Sequence, residues 1–362
     1  MSIAAQAPAY IRAISPYQAG KPISALAREM GIAEASIVKL ASNENPRGMS
    51  PKARAAVEAA LAGVERYPDQ FDLVAALSEH LAVGAERVVV GNGSNDLLDM
   101  AARVFLAPGR SAVFARHAFA VYPLATMSAG GECIVVPAKN FGHDLDAMRQ
   151  AVRPDTRLIW IANPNNPTGT FLPCAEIRAF LENLPADVAV VLDEAYNEYL
   201  PSAERADSVA WVSDFPNLIV TRTFSKIYGL AGLRVGYAVA DAEVADLMNR
   251  VRQPFNVNNL ALAGAVAALD DHLFVAESYA LNRDGMEQLV AGFKRLGIEH
   301  IPSHGNFITF AIHDGAVIND RLLRQGVIVR PIAGYGLPNH LRVTVGLESE
   351  NARFLEALEK SL

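Results

Sequence analysis

Four segments of this 362-residue chain place reactive side chains directly after short runs of β-branched residues. After Leu218-Ile-Val220 comes Thr221-Arg-Thr-Phe-Ser-Lys226. A lysine is ordinarily a surface residue. Lys226 instead follows a core-type strand beside hydroxyls and glycines, the setting of a desolvated amine able to act as a nucleophile and form a Schiff base. If the stretch is extended, Thr221, Thr223 and Ser225 share one side, and Arg234 follows further along. After Val188-Ala-Val-Val-Leu192 comes Asp193-Glu-Ala-Tyr196. A carboxylate at the end of a buried strand needs a metal or a protonated partner. No His or second carboxylate with ligand spacing surrounds Asp193, so no metal is expected there. After Leu158-Ile-Trp-Ile161 comes Asn163-Pro-Asn-Asn-Pro-Thr-Gly169, with more side-chain amides than a turn requires. After Val88-Val-Val90 comes Gly91-Asn-Gly-Ser-Asn-Asp96, then a helical pattern. Glycines at such a turn let backbone N–H groups approach an anion at the helix N-terminus, with Ser94 and Asn95 as further donors. Asp96 stands where the dinucleotide fingerprint has its third glycine, so that fingerprint is not met.

These segments share one position in a repeating pattern. Seven runs, Arg87–Val90, Ser111–Phe114, Cys133–Val136, Arg157–Ile161, Val188–Leu192, Asn217–Thr221 and Arg234–Val239, are nearly continuously apolar. Such runs read as strands buried on both faces. Helical stretches lie between most of them, at Pro51–Leu61, Asn95–Phe105, Leu145–Val152 and Cys174–Leu184. That order predicts an α/β fold with a mostly parallel, doubly wound sheet, whose ligands sit beyond the carboxyl ends of the strands. After Gln253-Pro254 a long helical pattern from Asn259 to Leu296, broken near Asp270-Asp271, precedes short strands at Asn306–Ala311, Val327–Arg330 and Leu341–Val345. We expect a large domain over 41–255, a smaller α+β domain over 256–362, and an N-terminal segment, 1–40, packed on the smaller one.

Composition narrows the partners. Lys+Arg 32 against Asp+Glu 39 gives a net charge of −7, and no Lys/Arg-rich run occurs, which argues against nucleic acid or an anionic membrane. The longest clean apolar run, Leu260–Leu269, is too short to span a bilayer. The first residues lack a basic n-region, and the two cysteines, Cys133 and Cys174, are too few for a disulfide framework. These features lead us to expect a soluble, cytoplasmic protein with buried, reduced thiols.

An amine, a carboxylate for a ring nitrogen, donors for a ring oxygen and a nest for a phosphate are the parts a pyridoxal phosphate site requires. Ser42-Asn-Glu-Asn-Pro46, Arg66-Tyr-Pro-Asp69, Thr223-Phe-Ser-Lys226, Gly232-Leu-Arg-Val-Gly236 and Leu341-Arg-Val-Thr-Val-Gly346 join the segments above in an order and spacing spread over nearly the whole chain. On these motifs the sequence resembles the fold-type I pyridoxal-phosphate aminotransferases, and within them the histidinol-phosphate aminotransferase family.

The resemblance implies that Lys226 is the Schiff-base lysine and shuttles the proton between Cα and C4′. It implies that Asp193 holds the pyridine nitrogen protonated, that Asn166 and Tyr196 bond the phenolic oxygen, and that Phe119 stacks on the ring. Ser94, Asn95, Thr223, Ser225 and Arg234 would hold the phosphate. Tyr67 resembles the tyrosine that reaches the phosphate of a neighbouring subunit, which implies a homodimer. Arg342 resembles the substrate-anion clamp, Arg330 would flank it if their strands pair, and Asn43 and Tyr17 are similar to substrate-side residues. Ile227, the pair Arg116-His117 and Arg47 with Met49 depart from the family's pattern. The implied reaction exchanges histidinol phosphate and 2-oxoglutarate for imidazole-acetol phosphate and glutamate. The alternatives are an aromatic amino acid aminotransferase and, more distantly, a phosphothreonine decarboxylase.

Overall fold

In the computed structural model, which describes residues 2–362, the seven apolar runs form one sheet in the spatial order 88–91, 236–240, 218–223, 189–193, 156–162, 111–115, 132–136. Neighbours from 218–223 out to 132–136 pair in parallel, and 236–240 alone runs antiparallel to the strands beside it. Successive residues of a strand point to opposite faces. Accordingly Val88, Val90, Ile159, Ile161, Val190, Leu192 and Val220 enter one core, while Val89, Leu158, Trp160, Val191 and Ile219 enter the other. The first core is covered by Phe71–Leu81, Cys174–Glu182 and Asn259–Leu269, the second by Ser94–Phe105, Val121–Ser128 and Ala242–Val251. This is the doubly wound arrangement, with every ligand-bearing loop at the carboxyl edge.

Two expectations about the large sheet and its core shift. Glu132–Val136 is an edge strand, not one buried on both faces: Glu132 is exposed and Val135 is 51% exposed. The larger core also runs past residue 255. Val257, Ala261, Leu262, Ala265, Ala268 and Leu269 all pack into it, so we place the division at Asp270-Asp271. There Asn259–Leu269 meets His272–Leu296 at 82°. The second helix starts against the larger core at Val275 and Tyr279 and ends in the smaller one at Leu289 and Phe293. Among the described residues no single helix is long and apolar enough to cross a membrane.

The smaller unit has a four-stranded antiparallel sheet in the order 330–331, 340–344, 307–311, 300–301, backed by Gly315–Arg324 and Glu348–Ser361. Val38–Lys39 pairs with Val327–Ile328, and Leu26, Ala27 and Ile37 pack with Ile328, which joins residues 23–40 to this unit. The short helix Ala9–Arg12 instead lies against Val121–Ser128 of the larger unit. Both cysteines are free and half-buried, more open than expected.

Candidate active site

The carboxyl ends of the large sheet and one face of the small sheet close on a cavity. It is lined by Tyr17, Asn43, Ser94, Asn95, Phe119, Asn166, Asp193, Tyr196, Thr223, Ser225, Lys226, Arg234, Arg330 and Arg342, which lie far apart in the sequence. Tyr67 is the exception. It is 80% exposed and stacks on Phe255 at 4.5 Å, outside the cavity of its own chain.

Lys226 is half-buried just past Leu218–Thr223, its Nζ 3.3 Å from the Ser42 carbonyl and 5.6 Å from the Tyr196 ring centroid. Loss of hydration, then the charges of Arg342 and Arg234, lowers its pKa to about 8. An amine so depressed is a usable nucleophile near neutrality. Asp193 ends its strand buried, 5% exposed. Its Oδ2 accepts from Tyr122 Oη at 2.9 Å, while Oδ1 has no partner. Burial raises its pKa to about 6 despite that hydrogen bond. A buried carboxylate oxygen without a donor is costly, and a protonated ring nitrogen satisfies it.

The anion cradle is built from backbone as well as side chains. Gly93 caps the twelve-residue helix Ser94–Phe105 with φ +79°, and a Cβ there would overlap the Arg234 guanidinium. A Cβ on Gly236 would meet the Ser94 nitrogen at 2.7 Å. Arg234 Nη1 reaches Ser225 Oγ at 3.3 Å, and Thr223 Oγ1 accepts from the Ser225 N–H at 3.1 Å. A helix N-terminus, hydroxyls and a guanidinium converging in this way fit a phosphate. Asp96 is kept from repelling it by donors of its own, Asn92 N at 2.8 Å and Asn256 Nδ2 at 2.7 Å. Orphaned carboxylate, depressed amine and phosphate cradle thus fit pyridoxal phosphate, and Phe119 lines the same cavity.

The substrate side holds two arginines on adjacent strands. Arg330 and Arg342 are cross-strand partners, so their side chains leave the same face. Arg342 is 5% exposed, donates Nη2 to the Ala41 carbonyl at 2.9 Å and Nη1 to Asn166 Oδ1, and leaves Nε buried without a partner. With Oδ1 so engaged, Asn166 has its NH₂ left as a donor. Arg330 Nη2 bonds the Gln18 carbonyl at 2.6 Å and lies 3.4 Å from Tyr17 Oη. Asn43 lines the same cavity and also supports Tyr196. Its Nδ2 donates to Tyr196 Oη at 2.9 Å and its Oδ1 accepts from Thr344, so it orients Tyr196.

Two further residues belong to the site without standing in any of the motifs. Tyr122 lies in the first turn of Val121–Ser128, just after the turn that holds Phe119, and its ring meets that of Phe119 edge-on at 5.8 Å; this nearness in sequence is the signal that points to it. Tyr335 lines the cavity from a loop of the smaller unit, and no local pattern announces it.

The family "Aminotransferase class I and II" matches residues 35–358. "Histidinol-phosphate aminotransferase 1" of Dechloromonas aromatica is 74% identical over 362 residues, all of both chains. "Histidinol-phosphate aminotransferase 2" of Nitrosospira multiformis is 62% identical, covering all of this chain and 93% of its own. The crystal structure of histidinol-phosphate aminotransferase from Sinorhizobium meliloti in complex with pyridoxal-5′-phosphate superposes with a TM-score of 0.90 at 28% identity, over 98% of this chain and 96% of that one. An aspartate aminotransferase from Thermus thermophilus with maleate, 23% identical with a TM-score of 0.84 over 98% of both chains, shares the fold. Matched from end to end by these relatives, the chain belongs to the class I and II aminotransferases.

Proposed function

We propose that this protein is a pyridoxal-phosphate-dependent aminotransferase that exchanges histidinol phosphate and 2-oxoglutarate for imidazole-acetol phosphate and glutamate, a step of histidine biosynthesis. The observation that carries the choice of substrate is the Arg330–Arg342 pair. Like charges placed opposite each other on a sheet are destabilising. A phosphate or carboxylate between the two arginines offsets that repulsion, and both substrates bring one.

When bound, pyridoxal phosphate supplies an electron-withdrawing ring that stabilises negative charge at the substrate's Cα. Asp193 Oδ1 holds the proton on the ring nitrogen. Tyr196 Oη, steadied by Asn43, and the Asn166 NH₂ donate to the phenolic oxygen. Ser94, Asn95, Thr223, Ser225 and Arg234 hold the phosphate. Lys226 Nζ takes and returns the proton at Cα, a task suited to an amine poised at about 8. Arg342 and Arg330 orient the substrate by its anion. The exposed Tyr67 supports a homodimer, in which it reaches the phosphate site of the second copy. The two free thiols accord with a cytoplasmic setting.

The test is a set of half-reactions with histidinol phosphate, phenylalanine, tyrosine and phosphothreonine, each followed by change of the enzyme-bound cofactor's visible spectrum. Histidinol phosphate is expected to show the highest kcat/KM and to yield the imidazole-acetol product. A higher kcat/KM for an aromatic amino acid, or CO₂ released from phosphothreonine, rejects the assignment.

A further inference from the structure

His117 belongs to the Arg116-His117 pair that departs from the family's pattern, and none of the roles above uses it. It is buried two residues before Phe119. Its carbonyl accepts Asn165 Nδ2 at 3.0 Å, which ties its main chain to the loop that carries Asn166. Its ring reaches the other way, with Nδ1 2.7 Å from the Tyr335 carbonyl. A carbonyl can only accept, so Nδ1 carries the hydrogen. Tyr335 lies in the short turn Ala333–Tyr335, which ends at Gly336 with φ +77°. That turn carries the Tyr335 side chain over the cavity that Arg330 and Arg342 also line.

A second feature holds the same ring. Asn140 and Phe141 both adopt left-handed backbone, φ +50° and +63°, in a tight turn closed by the Lys139–Gly142 bridge. For a bulky residue such as Phe this conformation is unfavourable and persists only when its surroundings impose it. Its effect is to place the Phe141 ring 6.2 Å from that of His117 and 5.8 Å from that of His340. His340 opens the strand His340–Thr344 that carries Arg342. A hydrogen bond, and a tilted and an edge-on aromatic contact through Phe141, therefore join the wall bearing Phe119 to the loop and strand bearing Tyr335 and Arg342.

We infer that His117 is a positioning residue for substrate binding: its Nδ1–H fixes the Tyr335 turn, and so holds the anion-receiving side of the cavity in register with the cofactor's wall. The inference rests on the proposed aminotransferase reaction. Three substitutions test it. Asparagine sets an amide N–H at the position of Nδ1, glutamine moves it out to that of Nε2, and alanine removes it.

His117→Ala and His117→Gln are expected to raise KM for both histidinol phosphate and glutamate about tenfold, as loss of one buried hydrogen bond implies. kcat and the cofactor's dissociation constant, read from its bound absorbance, should stay within about threefold. His117→Asn should bring KM back to within about threefold of the native value. An unchanged KM in the alanine and glutamine variants overturns the inference. So does asparagine performing no better than glutamine, or a cofactor dissociation constant rising in step with KM, which would place the effect at Phe119 instead. Should the alanine variant not fold, the asparagine and glutamine pair carries the comparison. A native enzyme that converts glutamate but not histidinol phosphate defeats the proposed substrate, and leaves the His117 comparison readable on glutamate.

Discussion

Lys226→Ala should leave a folded protein that has lost transamination by about four orders of magnitude, the upper range for removing a positioned proton-transfer group. The size follows from where the amine stands. It is half-buried, with the Ser42 carbonyl as its hydrogen-bond acceptor, so its removal opens a small space and disturbs no ion pair. Its chemistry, by contrast, has no substitute among the cavity residues, because the other cations there are guanidiniums that do not deprotonate. The depressed pKa adds a pH signature. Only the free amine attacks the cofactor's aldehyde, and its population falls tenfold per unit below the pKa. Uptake of pyridoxal phosphate by the cofactor-free native protein should thus rise with pH to a midpoint near 8, where an ordinary lysine would place it above 10. Single-turnover conversion of glutamate and the visible band of the bound cofactor check both statements. Turnover in the alanine variant within about tenfold of native would remove Lys226 from its assigned part.

Asp193→Asn carries the second large effect. The substitution keeps the volume and an acceptor for Tyr122, and removes only the charge. Truncating one partner of a buried, hydrogen-bonded charge pair costs about 2–5 kcal/mol. We therefore expect kcat/KM to fall by about two orders of magnitude or more, with weaker cofactor retention. The sign of the pH dependence is fixed by the raised pKa. Above about 6 the native carboxyl is ionised and ready for a protonated ring nitrogen, and as pH falls through that value it must first give up a proton. Cofactor affinity in the native protein should then weaken below pH 6, a limb that Asp193→Asn lacks. A variant that keeps kcat/KM within about threefold would exclude a charge role for Asp193.

The features legible in the sequence are those written in local pattern. Strands buried on both faces announce themselves as continuous Val/Ile/Leu runs, and all seven runs are strands of one sheet. The residues following each run must reach the carboxyl edge once the sheet is parallel. Local pattern does not state where a strand stands in the sheet, so Glu132–Val136 reads like its neighbours although it is an edge strand with exposed residues. Nor does it reveal that small residues at Ala261, Ala265 and Ala268 let a helix nest on the larger core, since the break at Gln253-Pro254 looks like a domain boundary. The long-range contacts are invisible for a plainer reason. Tyr122 meets Asp193 across 71 positions, and His117 meets Tyr335 across 218. Such pairings are set by the packing of whole elements, and neither partner carries a spacing that points to the other.

On the proposed function the arginine pair selects a phosphate-bearing amine, and one ratio tests that selection: kcat/KM for histidinol phosphate over that for histidinol, in the native enzyme and in Arg342→Ala. A buried charge-assisted contact supports a native ratio of about 10² to 10³, which should fall by at least about tenfold in the variant while cofactor affinity holds. A ratio near one in the native enzyme, or one that Arg342→Ala leaves untouched, would contradict it.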